Sequence, residues 1–356
     1  MPANVVAASV ATEAPPATYR PGLLSRVLAW VDALPWHGWW AFLVLAAVLF
    51  AWSHAVLWLT GQRPVGTIDP LLTSAVFYGP FVLAALAYIN RVAARSLAQF
   101  WPATGWPDAD QAAWRYAFVT SPRGFGVITV VVGFVAALGS FASASDAAIG
   151  AGVDRTIYLV AYLPSAVIGY GLVVAATVHI VRQLRLVSRI HHEASAVDPF
   201  DRVPVYAFSN LTVRAGLAYV ISGYYALTVQ GAFQAGNAVA IVVIAVTFSV
   251  GIACFVLPLW GIHGRLGHEK DLLLREVDGR LSRLGEEMYR RIDAGQFDGT
   301  KVVSEALAGV SALRERIVRL PTWPWPPNLM RGFISALLLP VIVYLVSRFA
   351  GGLIGA

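Results

Sequence analysis

The chain has 356 residues, 58% of them hydrophobic and 13% charged, where soluble domains carry about 25% charge. This composition excludes a soluble globular protein, and a single cysteine, Cys254, excludes an intramolecular disulfide framework. The net charge of +6 would suit a nucleic-acid binder, but the basic residues gather on one side of the expected membrane, so no nucleic-acid partner is expected.

Residues 1–21 begin "MPANVVAASVATEAPPATYR", with no basic n-region and with Pro2, Glu13, Pro15 and Pro16. They read as a disordered tail and not as a cleavable signal peptide. In "PGLLSRVLAWVDALPW", Leu23, Val27, Val31 and Leu34 share one helical face and Arg26 and Asp32 lie off it, the pattern of an interfacial helix. Apolar runs long enough to cross about 30 Å of hydrocarbon follow near 39–60, 70–90, 125–144, 157–181, 215–233, 237–260 and 332–350. The fold class is therefore all-α, a polytopic protein of seven transmembrane helices, with residues 22–260 holding the interfacial helix and the first six.

An odd number of spans puts the termini on opposite sides. With the N-terminus inside, the inner loops hold Arg20, Arg26, Arg91, Arg95, Arg115, Arg123, Arg182, Arg185, Arg189 and Arg202, and the outer loops only Arg63 and Arg155. The positive-inside rule selects that orientation and leaves the C-terminus outside. Trp36, Trp39, Trp40, Trp101, Trp106 and Trp114 fall at the inner boundaries, where indole rings suit the headgroup layer.

Small residues around Gly133, Ala137, Gly139 and Ser140 permit close helix approach in the third span. The fourth keeps helical spacing through Val178, Val181, Leu184, Val187 and Ile190, so it projects into the cytoplasm, and Asn210 and Arg214 place the first turns of the fifth there too. Residues 261–320 read as a cytoplasmic helical hairpin. Its first arm carries a stripe from Leu266 to Ile292, "DAGQFDGT" makes the turn, and Val303, Ala306, Val310, Leu313, Ile317 and Leu320 form a heptad-like seam on the second arm. That seam is the expected oligomer anchor.

Residues 321–356 comprise a stiff joint and the last span. Pro321 stops the hairpin helix, and Trp323, Pro324, Trp325, Pro326 and Pro327 favour an extended connector with aromatic rings at headgroup level. The joint either terminates a helix or couples hairpin motion to the last span. Ser335, Pro340, Tyr344 and Ser347 interrupt that span, and the face through Ser335, Leu338, Ile342 and Leu345 is the expected lining of a narrow pore with an apolar gate.

Chemistry is sparse. His54 and His179 are the interior-leaning titratable groups and read as packed residues. His191 and His192 are neighbours pointing about 100° apart with no further ligand at zincin spacing, and His263 and His268 read as a solvated surface. The "GYG" of Gly169 to Gly171 sits in an apolar helix and not in a re-entrant filter loop. No catalytic residues, enzyme activity, cofactor or metal are expected.

Spans, cytoplasmic extensions of the fourth to sixth, a cytoplasmic helix before the last span and a short outer C-terminus together resemble the seven-transmembrane insect odorant and gustatory receptor superfamily. The likeness is one of topology, as of a distant prokaryotic-type relative, and "RLPTWPWPP" also resembles a signature of prokaryotic membrane proteins. In "YLVSRF", Tyr344, Arg348 and Phe349 stand where the insect pattern has tyrosine, a longer apolar spacer, glutamine and phenylalanine. The resemblance implies a homotetrameric, ligand- or stimulus-gated cation channel with a central cytoplasmic anchor and the last helix around the pore. Its expected setting is the plasma membrane, the cell inner membrane in a bacterium, with lipids, anionic ones included, and an unidentified small molecule as partners. The alternatives are a non-conducting scaffold or sensor whose hairpin docks a partner and, third, a carrier for an apolar solute.

Overall fold

The structure is a computed structural model that describes residues 19–193, 200–228, 238–297 and 299–354. Among the described residues it is helical throughout, without strands. In chain order the helices are α1 (Leu23–Ala33), α2 (Trp39–Leu59), α3 (Pro70–Phe100), α4 (Asp108–Val119), α5 (Gly126–Ala142), α6 (Asp146–Ile149), α7 (Arg155–Glu193), α8 (Arg202–Ala207), α9 (Ser209–Thr228), α10 (Ala238–Asp293), α11 (Thr300–Val318) and α12 (Pro327–Ile354). Among the described residues four helices, α2, α3, α7 and α10, are long and apolar enough to cross a membrane, and α5 is apolar but shorter. The protein is thus membrane-embedded.

Helix lengths exceed what a bilayer needs. At 1.5 Å per residue, α10 is about 84 Å long and α7 about 58 Å, against about 30 Å of hydrocarbon. The α10 helix runs unbroken through residue 260, so the sixth apolar run and the first hairpin arm are one rod. It ends at "DAGQF", where Gly295 adopts φ 68°, and α11 returns alongside it.

The α7 helix is the centre of the bundle, packed on α2, α3, α5 and α10, while α9 packs on α10 and α12 on α9. Three crossings depend on glycine. A Cβ on Gly133 would lie 2.7 Å from the backbone N of Gly171, and one on Gly79 would lie 3.1 Å from Ile168, beside Gly169. A Cβ on Gly216 would meet Gly251 O and the Phe333 ring, each at 2.8 Å. Gly139 faces open space. The outer face of α5 is apolar and uncovered, with Val127 75% and Val135 63% exposed.

Two expectations require correction. Trp101 and Trp114 are buried in the main hydrophobic cluster and not placed at an interface, because α4 tucks the α3–α5 connection under α3 and α7; Trp101 Nε1 donates to Asp108 at 3.1 Å. The buried face of α1 is Ser25, Leu28 and Val31, while Leu23 is exposed, so the helix is rotated from the expected Leu23–Leu34 face. The cause is a clasp between Ser25 and the loop at Ser121, whose backbone N donates to Ser25 Oγ at 2.7 Å.

Candidate functional site

The joint is brought together as one aromatic stack on α10. Trp323 lies flat on His263, centroids 3.7 Å apart and planes 8° apart, and against Trp325 at 5.0 Å. Trp325 in turn stacks on Phe255 at 4.7 Å, and Phe255 on Phe333 of α12 at 4.3 Å. His263 Nδ1 donates to Thr322 O at 3.0 Å, so His263 is a clamp residue and not part of a solvated surface. Lys270 Nζ donates to Val318 O at 2.6 Å and Leu320 O at 3.0 Å, satisfying carbonyls that α11 leaves free where Pro321 follows. Ser209 Oγ donates to Pro324 O. Pro326 and Pro327 open α12, the Pro326 carbonyl accepting from Leu329 N at 3.0 Å and Met330 N at 3.2 Å.

Trp325 therefore serves the protein interior, whereas Trp323 keeps an exposed face. Trp325 is 7% exposed and its Nε1 has no partner among the described residues, while Trp323 is 39% exposed. Sequence reasoning missed His263, Lys270 and Ser209, because contact across α9, α10 and the joint has no local signal.

The anchor seam is only partly used within the chain. Val303 and Ile317 are buried, Val310 and Leu320 half-buried, and Ala306 and Leu313 exposed. On α12, Phe333 is buried against α9 and α10, and Ser335, Leu338 and Ile342 project from the uncovered side. The side chains of Pro340, Tyr344, Leu345 and Ser347 lie outside the described residues.

Two buried polar clusters hold the interior-leaning histidines. Asn90 Oδ1, an acceptor only, receives His179 Nε2 at 2.8 Å and Gln183 Nε2 at 2.7 Å. The Nε2 of His179 is therefore protonated, and its Nδ1 accepts from the Ser121 hydroxyl. At the other end of the bundle His54 Nε2 accepts from Asp69 N at 3.2 Å, leaving Nδ1–H for Phe50 O at 3.1 Å. Asp69 also caps α3 through Leu72 N at 3.0 Å and accepts from the Tyr158 hydroxyl at 2.9 Å. Every ring nitrogen of the two histidines thus has a hydrogen-bond partner within the protein.

His191 is buried with its ring edge-on to Phe100 and Phe208, and His192 points outward. Among the described residues no three His, Cys, Asp or Glu side chains converge on a point that could hold a metal. The geometry thus offers a packed joint, two uncovered helix faces and two hydrogen-bonded polar clusters. Compared with family models, curated proteins and solved structures, the chain matches none.

Proposed function

We propose that the protein is a homotetrameric, stimulus-gated cation channel of seven spans, N-terminus inside and C-terminus outside, with α12 around the pore and α11 in a central anchor. One observation carries this reading: α11 and α12, joined through the clamp, each leave an apolar face uncovered. On α11 it includes Ala306 and Leu313, and on α12 Ser335, Leu338 and Ile342. A fourfold arrangement would bury both at one axis, the first as a coiled-coil-like seam and the second as a dewetting gate. Arg331 stands one turn before Ser335 at the start of that α12 face, and Leu338 and Ile342 beyond it are apolar, as a hydrophobic gate requires.

Native mass spectrometry counts the subunits, and liposome flux reads the gate. Ile342→Ser should raise resting leak in a tetramer, because a hydroxyl eases wetting of the constriction. Unchanged leak in a proven tetramer removes Ile342 from the gate.

The scaffold reading also has support of its own. Near the hairpin turn Tyr289 is 72% and Phe297 69% exposed, aromatic surface of the kind partner proteins cover. A stable monomer whose hairpin captures a partner, with flux insensitive to α12, would favour that reading.

A further inference from the structure

A cavity of about 370 Å³ lies between α1, α2, α3, α5 and α7. Its wall is almost wholly apolar, with Leu24, Val27, Leu45, Leu83, Val130 and Leu172 among the lining residues. This volume falls in the range of small-molecule sites, about 300–1,000 Å³, and admits a ligand of the order of a dozen non-hydrogen atoms at roughly 30 Å³ each.

Polar groups enter the lining at Ser121, Thr129, His179 and Arg182. Three of the four are committed inside the protein. The Thr129 hydroxyl donates to Gly126 O at 2.8 Å, and Ser121 and His179 bond one another.

Arg182 differs. Its Nη1 donates to Thr120 O, and its guanidinium carbon lies 4.8 Å from the Tyr19 ring centroid. Among the described residues no carboxylate is within ion-pair range of it. Asp32, on α1, is taken by Arg91 at 2.7 Å. A guanidinium carries five N–H donors; Thr120 O and the Tyr19 hydroxyl engage two of those on Arg182, which leaves donors for a ligand.

The strap at residues 19–25 fixes this corner. Gly22 N donates to Ser121 O at 2.8 Å, and a Cβ on Gly22 would come within 2.9 Å of Pro122 O, so the strap lies too close for any other residue. Tyr116 donates to Tyr19 O, and Tyr19 to Thr120 O. The cation is thereby held in place before any ligand arrives.

We propose that this cavity binds one acyl chain of an anionic amphiphile, with the carboxylate or phosphate head on Arg182. The apolar wall rejects polar molecules, a neutral head would leave the cation unpaired, and a cationic head would be repelled. This site is independent of whether α12 lines a pore.

The test uses the full-length protein in nanodiscs of zwitterionic lipid, with displacement of a fluorescent fatty-acid analogue as readout. Dodecanoate and dodecyl phosphate should displace it, and dodecanol and dodecyltrimethylammonium should bind at least about tenfold more weakly. Arg182→Gln should weaken the two anions by at least about tenfold and leave dodecanol unchanged, and Arg182→Lys should recover part of the loss. Ala175→Phe, which fills the cavity, should weaken all ligands; if it does not fold, Val130→Trp from the exposed wall replaces it. Equal affinity for dodecanol and dodecanoate, an unaltered Arg182→Gln, or no displacement at all would each overturn the proposal. Native mass spectrometry of protein purified from membranes separates the sources. A co-purifying fatty acid or an anionic phospholipid, lost in Arg182→Gln, supports the site and names its occupant, and an adduct equal in both proteins counts against it.

Discussion

Trp325→Ala is the sharpest probe of the joint. Trp325 is 7% exposed and sandwiched between Phe255 at 4.7 Å and Trp323 at 5.0 Å. Truncating a buried aromatic to alanine costs about 3–5 kcal/mol, and each lost aromatic pair contributes about 0.5–1.5 kcal/mol of such a change. For a chain of this length about 2 °C of Tm accompanies each kcal/mol, so the midpoint should fall by roughly 6–10 °C. The assay is thermal unfolding of detergent-solubilised protein, followed by tryptophan fluorescence. Trp325→Phe keeps a stacked ring and removes the buried, unpartnered N–H, whose desolvation costs about 1–3 kcal/mol, so it should lie within about 1 kcal/mol of the parent. A Trp325→Ala shift below about 2 °C, or a Trp325→Phe shift as large as that of alanine, would refute the clamp as an energetic unit.

Other outcomes follow from packing and burial. Gly133→Val should destabilise by about 1–3 kcal/mol, because its side chain meets the Gly171 backbone and the helices must part. Gly139→Ala, in open space, should be neutral or gain up to about 1 kcal/mol from helix propensity, and unfolding midpoints separate the two. Burial raises the Tyr19 hydroxyl above its ordinary value of 10.0, with Arg182 partly opposing that shift. Because the folded value is raised, this stabilisation is complete below pH 10.0 and is lost as pH climbs through the raised value. Tyr19→Phe should flatten that loss, read as the difference between the two Tm profiles from neutral to strongly alkaline pH.

The helical class was legible because period and length are local properties. The extension of the fourth apolar run to Glu193 and the ends of the hairpin arms, near Asp293 and Val318, could be read from periodicity and turn residues. Spacing also carried the small-residue stripe, although only structure separates Gly133, which is in close contact, from Gly139, which is not. The "GYG" segment shows why motif and role diverge. Gly169 and Gly171 are there for the close passage of α3 and α5, a role decided by helices far away in sequence. For the same reason α4 escaped notice: Trp114 and Phe118 gain their burial from α3, α7 and the Phe208 ring, not from a stripe of their own.

The clamp also constrains how any motion could travel. Trp323 and Trp325 rest on His263 and Phe255, residues of one unbroken helix, and Phe255 in turn carries Phe333 of α12. Lys270, two turns further along that helix, holds the end of α11. The prolines are thus no free hinge between α11 and α12, since both helices are tied to α10 on either side of them. A displacement of the hairpin must carry α10, the joint and the base of α12 together. Within the bundle α10 meets α9 where Gly216 and Gly251 touch backbone to backbone, with the Phe333, Tyr219 and Val220 side chains packed around the crossing. Phe333 ties the base of α12 to that same crossing, so if α12 gates a pore, α9, α10 and α12 move there as one packed unit and stiffening the proline joint further would change little.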